Sequence, residues 1–206
     1  MLFEIEHREV EHHRCAVVLR LHSSDGTNRL TRRSVIGLRH AITRIAEEQP
    51  SALILTGNEH FFSAGADLNE IAALTGPAAY DFALCGQQLM NTLAALPFPA
   101  IAAVRGYCMG GGLDLALACH WRIAAPNAVF GHRGAALGLI TGWGGTQRLP
   151  RLIGKSHALH MFLAAEKLHA QQALAMGLIS RIAADPVAAA IEYIVTLSPV
   201  TQAAST

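Results

Sequence analysis

Lysine is almost missing from this chain. Of its sixteen Lys and Arg residues, only Lys155 and Lys167 are lysines, and fifteen acidic residues bring the formal net charge to +1. Without a basic stripe or an acidic tail, a nucleic-acid surface has no electrostatic footing. The cysteines at 15, 85, 108 and 119 form no CxxC pair, and no HExxH occurs among the eleven histidines. Those absences argue against a structural metal centre and a disulfide framework. Residues 1–11 are charged rather than apolar, unlike a secretory leader, so reduced thiols in a cytoplasm-like compartment are expected. The most apolar stretch, 94–125, is interrupted by Pro97, Pro99, Arg105 and Asp114, which makes a membrane span unexpected.

What remains is a chain of 206 residues, 51% hydrophobic and only 15% charged. That length can bury one sizeable core, so a single domain over 1–206 is expected. Residues 15–21 alternate as a strand does, and 52–56 (ALILT) and 101–104 are short apolar runs suited to buried strands. Residues 34–48 place Val35, Leu38, Ile42 and Ile45 on one helical face. Further helices are expected at 67–74, 80–96, 113–119, 146–164, 170–176 and 186–197. A further strand is expected at 179–182, and weaker strand signals lie at 121–124 and 129–130. Segments 57–65 and 106–112 read as a loop and a glycine-rich turn. Strands alternating with helices indicate α/β architecture with mostly parallel strands.

Two loop-to-helix joints carry the chemistry. The first runs Phe61-Phe62-Ser63-Ala64-Gly65-Ala66-Asp67-Leu68, the second from Gly106 through Gly110-Gly111-Gly112 to Asp114. Each sets small residues where backbone N–H groups meet a helix start, a place that favours negative charge and close approach of a ligand. Two such amides aimed at one point make an oxyanion hole, worth several kcal/mol of transition-state stabilisation. Asp67, with Glu70 three residues on, has capping-box spacing and reads mainly as a helix cap. Asp114 sits in a helix that is apolar all round, where a carboxylate is costly unless bonded or used. It is the better candidate for chemistry.

Three rival motifs fail on single positions. Gly154-Lys155-Ser156 would need glycine at Leu149 to be a phosphate loop. Gly110 and Gly112 would need a third glycine at Leu115 to be a dinucleotide fingerprint. Ser63 before Gly65 would need glycine at Phe61 to be a nucleophile elbow. His157 and His160 share a helix face and read as solvated surface.

Taken together, the two joints resemble the crotonase, or enoyl-CoA hydratase/isomerase, superfamily. Residues 138–150, which include Gly144-Gly145-Thr146-Gln147-Arg148-Leu149-Pro150, are similar to its later loop, and 173–179 to its helix-to-strand element. The similarity covers about residues 13–199. It implies a crotonase-like spiral of repeated ββα units around an acyl-CoA site, with coenzyme A as part of the substrate and no separate cofactor or metal. It implies Ala66 and Gly111 amides as the oxyanion hole, and Ser63, Ala64, Gly65, Ala66, Asp67 and Leu68 along the pantetheine and adenine path. Asn28 and Leu30 match another family contact near CoA. Trimers or paired trimers are the implied assembly, with no nucleic-acid or membrane partner.

Three departures qualify the resemblance. The family's first glutamate is Asp114 here, its second falls at Gly134, and the chain stops at 198–206, where members continue into helices that often bring a lysine to CoA phosphates. The C-terminal helical segment is therefore expected to be truncated. His132, two residues before Gly134, either supplies a second acid or base or sits in a surface loop. The expected function is an acyl-CoA-processing enzyme of the hydratase/isomerase group. Decarboxylation of a malonyl-type thioester and non-catalytic acyl-CoA binding stand as alternatives, as does a scaffold with no CoA site.

Overall fold

The ALILT run shows how the sequence builds the fold. A strand with apolar residues on both faces is stable only when both are covered, and that is where it lies. The computed structural model describes residues 2–10 and 14–196. Strands β1 (Leu2–Val10), β2 (Arg14–His22) and β3 (Arg29–Leu30) precede helix α1 (Arg32–Glu47). Then come β4 (Ala52–Thr56), β5 (Phe61–Ser63), β6 (Gly65–Ala66), α2 (Leu68–Ala72) and α3 (Gly76–Ala94). Next are β7 (Ala100–Val104), β8 (Tyr107–Met109), α4 (Gly111–Ala118), β9 (Trp121–Ala124) and β10 (Val129–Gly131). A 3-10 turn at Gly134–Leu137 leads to α5 (Gly145–Ile153), α6 (Lys155–Ala164), β11 (Lys167–His169), α7 (Ala170–Ala175), β12 (Arg181–Ile182) and α8 (Pro186–Thr196).

The largest sheet runs β1-β2-β4-β7-β9-β12, in chain order from edge to edge, and a second runs β11-β10-β8-β5. Each pass of the chain therefore lays one strand in the first sheet and the next in the second: β4 then β5, β7 then β8, β9 then β10. Helices follow each pair. This is a crotonase-like spiral of ββα turns. The joins within the large sheet are parallel except β1 with β2.

Side chains alternate across that sheet. Leu53, Leu55, Ala102 and Val104 belong to the larger apolar core together with Leu38 and Ile42 of α1 and Leu89 and Leu93 of α3. Ile54, Ile101 and Ala103 turn to a second core closed by Val187, Ala190 and Ile194 of α8. The α1 face expected from periodicity is the buried one, and Thr31 caps the helix by accepting the Ser34 N–H at 3.2 Å.

Several boundaries differ from expectation. The 57–65 loop contains β5 and the start of β6, and the 106–112 turn contains β8. The 146–164 helix is two helices, broken at Gly154, whose φ of 84° no continuing helix adopts. The expected helix at 186–197 is described as far as Thr196, and 198–206 lies outside the described residues. The four cysteines are free. Among the described residues no helix is long and apolar enough to cross a membrane.

Candidate active site

The first joint is held from behind. Asn28 is fully buried, and its Nδ2 donates to the Phe61 and Phe62 carbonyls at 3.1 and 3.2 Å. Ser63 Oγ donates to Asn28 O at 2.7 Å and accepts from Gly65 N–H. Asp67 N–H donates to Leu30 O at 3.2 Å. Because alternate residues of a strand present their amides to opposite edges, the Ala66 N–H points away from β3, the one strand that β6 pairs with among the described residues.

The second joint meets it there. Gly111 opens α4, whose first backbone bond runs from Asp114 N–H to Gly110 O. The Gly111 amide thus belongs to the unpaired start of the helix. A methyl group on Gly65 would lie 2.6 Å from Met109 O and 3.1 Å from Gly111 N, and one on Gly111 would lie 3.3 Å from Ala66 N. Only the lack of side chains lets the two backbones approach this closely. Both joints line one cavity of about 520 Å³.

Asp114, in the first turn of α4, is 1% exposed. Thr141 Oγ1 donates to its Oδ2. Its Oδ1 lies 3.3 Å from Nε2 of His132, which is 4% exposed and packs against the tilted Phe162 ring at 5.1 Å. Neither Oδ1 nor Nε2 makes a hydrogen bond. Gly145, at the head of α5, closes over the pair: a methyl there would lie 2.2 Å from Oδ1 and 2.9 Å from Nε2. His132 is therefore no surface-loop residue. Gly134, where the resemblance would set a second glutamate, lines the same cavity, but a methyl on it would lie 2.7 Å from Leu139 O.

Of the residues singled out from sequence, Ala64, Gly65, Ala66, Leu68, Gly111, Asp114 and His132 line the cavity. Asn28, Leu30, Ser63 and Asp67 do not. Asn28, Leu30 and Ser63 are buried behind the wall, and Asp67 caps α2 by accepting from Asn69 and Glu70 N–H. Glu70 does not complete a capping box, since its Oε2 accepts from Arg32 N–H. Thr141 and Trp143 were missed. Both fall inside the later family-like loop, but nothing in their local sequence marks one as a partner of Asp114 or the other as a cavity wall.

The neighbouring thiol of Cys108 has a pKa pushed well up, by burial first and by the charges of Cys119 and Asp114 next. It stays protonated and is a poor nucleophile. Among the described residues no three His, Cys, Asp or Glu side chains are grouped to hold a metal. The cavity thus brings the Ala66 and Gly111 backbones together with a buried carboxylate and an imidazole, group types that can hold an anionic oxygen and move a proton.

Residues 11–198 match the family model described as enoyl-CoA hydratase/isomerase. The chain is similar to the solved structure of DspI from Pseudomonas aeruginosa, with 34% identity, a TM-score of 0.87, and coverage of 96% of this chain and 82% of that one. It is similar to an enoyl-CoA hydratase from Bacillus anthracis at 33% identity, TM-score 0.87, covering 95% and 76% of the two chains. An enoyl-CoA hydratase from Thermoplasma volcanium GSS1 aligns at 32% identity, TM-score 0.88, with 96% and 77% covered.

Proposed function

The chain belongs to the enoyl-CoA hydratase/isomerase family, and from that premise we propose that it moves a proton at the carbon beside the thioester carbonyl of an enoyl- or acyl-CoA. In this reading the Ala66 and Gly111 amides hold the carbonyl oxygen as it becomes an enolate oxygen. Asp114 takes the α-proton, and the electron pair of that C–H bond moves into the enolate double bond. Protonation at the same carbon reverses the step; protonation two carbons further on shifts the double bond. His132, touching Asp114, relays the proton or holds a water for addition to the double bond.

One observation carries the reading: two buried polar atoms, Asp114 Oδ1 and His132 Nε2, are left unbonded in the cavity that both glycine joints line. The two atoms stand 3.3 Å apart, and a buried carboxylate beside an imidazole, next to the two glycine joints, supports catalysis over binding alone.

Exchange of the α-proton of butyryl-CoA in deuterated water tests the proposal. The wild type is expected to exchange it, with Asp114→Asn slowing exchange about 100-fold or more. Retention on CoA resin should be lost in Ala66→Pro, because proline removes the donor. A wild type that binds CoA thioesters but exchanges nothing would reduce the protein to a binder, and one that fails to bind them would overturn the reading altogether.

A further inference from the structure

Trp143 lies between the two structural halves of the cavity wall. Its indole is 3% exposed and is seated where glycines make room for it. A methyl on Gly86 of α3 would lie 2.2 Å from its Cδ1 and Nε1, and one on Gly111 would lie 2.5 Å from its Cζ3. The pyrrole edge thus abuts α3, while the benzo edge stands against the residue whose amide heads α4. The ring is pinned: Nε1 donates to Phe82 O at 3.3 Å, the Phe82 ring packs at 5.2 Å, and Arg148 donates to the Trp143 carbonyl at 3.3 Å. Arg148 is itself tied to Asn91 of α3 at 2.9 Å.

The cavity is chemically lopsided around this ring. Ile71, Leu74, Phe82, Ala83, Leu139 and Ile140 line it with hydrocarbon. Its charged lining residues besides the catalytic pair are Arg133, next to His132, and Lys167, whose Nζ stands 5.4 Å over the Tyr107 ring. None belongs to α3 or to the Trp143 segment. A thioester whose oxygen rests at Gly111 would have its acyl group against the benzo edge of the indole, among uncharged lining residues where a terminal carboxylate would be desolvated without a partner.

We propose that Trp143 is the residue that limits acyl length, and that the acyl group it admits is an uncharged aliphatic chain. This rests on the proposed thioester site. Removing the indole joins the space between α3 and α4 to the cavity, while phenylalanine opens only part of it.

The experiment is a chain-length series of butyryl-, octanoyl- and dodecanoyl-CoA, with glutaryl-CoA as the charged probe. It is run on wild type, Trp143→Phe and Trp143→Ala, each checked for native circular dichroism. Both α-proton exchange and calorimetric affinity are read. The ratio of dodecanoyl to butyryl signal is expected to rise about tenfold or more in Trp143→Ala and by less in Trp143→Phe, with glutaryl-CoA weak throughout. Should Trp143→Ala not fold, the rise in Trp143→Phe decides. A ratio that stays at the wild-type value in the folded variants overturns the proposal, as does glutaryl-CoA matching butyryl-CoA. Because affinity is measured without turnover, absent exchange would sink the acid–base reading while leaving the wall tested. Absent affinity for any thioester would sink both.

Discussion

Asp114 Oδ1 and His132 Nε2 face each other at 3.3 Å, almost sealed from solvent, with no hydrogen bond joining them. Thr141 fixes one carboxylate oxygen, the tilted Phe162 ring packs on the imidazole, and Gly145 roofs both. The pair is held in place by its neighbours more than by itself.

His132→Gln is expected to slow α-proton exchange about 10- to 100-fold, with calorimetric CoA affinity within a few-fold of wild type. Equal losses in rate and affinity would mean that the ring shapes the cavity and takes no part in proton movement.

Thr141→Val keeps the shape of the side chain and removes the donor to Asp114 Oδ2. Turnover should fall roughly tenfold with little change in KM, and Thr141→Ser should restore it. If the serine variant is as slow as the valine variant, the methyl contact matters rather than the hydroxyl.

Gly145→Ala sets a methyl 2.2 Å from Asp114 Oδ1. Something must shift, at about 1–3 kcal/mol of stability. Thermal unfolding and exchange are expected to drop together; an alanine variant with wild-type melting and rate would show that the roof yields freely.

Arg122 is buried, and burial, opposed by Cys119 and Cys108, lowers its pKa. Its guanidinium donates to Leu178 O at 2.7 Å, Cys119 O at 2.8 Å and Ala116 O at 3.3 Å, so it ties the end of α4 to the segment before β12. Arg122→Met leaves those carbonyls without their donor, and a loss of about 2–4 kcal/mol is expected from chemical denaturation. A midpoint unchanged from wild type would contradict this.

Burial pushes the Cys119 thiol up to about 12, against the pull of Arg122, and the Cys108 thiol well above its ordinary value. Native protein treated with iodoacetamide at neutral pH should be modified at Cys15 and Cys85, and at 108 and 119 only after unfolding, as mass spectrometry can read. The sign for stability follows. The unfolded chain ionises these thiols near 9 while the fold keeps them protonated, so stability falls as pH rises from about 9 towards about 12.

The sequence told most where one segment carries its own signal. ALILT was readable to the residue because nothing but a two-sided buried strand suits it, and α1 because its apolar face repeats at helical spacing. Asp114 stood out because a lone carboxylate in an apolar helix needs a reason. Strand β1 was missed: the charge of residues 1–11 spoke only against a leader, yet LFEIEHREV forms an edge strand that among the described residues pairs with β2 and leaves Glu4, Glu6 and other side chains exposed. The three-residue strands β5 and β8 have too few residues for a pattern and form through sheet pairing, β5 with β8 and β8 also with β10. Thr141 is 27 positions from its partner Asp114, and only the fold brings them together.

The interlock of Gly65 with Gly111 has an evolutionary reading. The Ala66 and Gly111 amides beside it belong to the main chain, so replacing side chains elsewhere leaves them in place as long as the backbone path is kept. The side chains at 114, 132 and 141 can then be exchanged one at a time while the glycines keep the two backbones at the same separation. A lineage built this way can vary its cavity chemistry by small steps on an inherited main-chain frame.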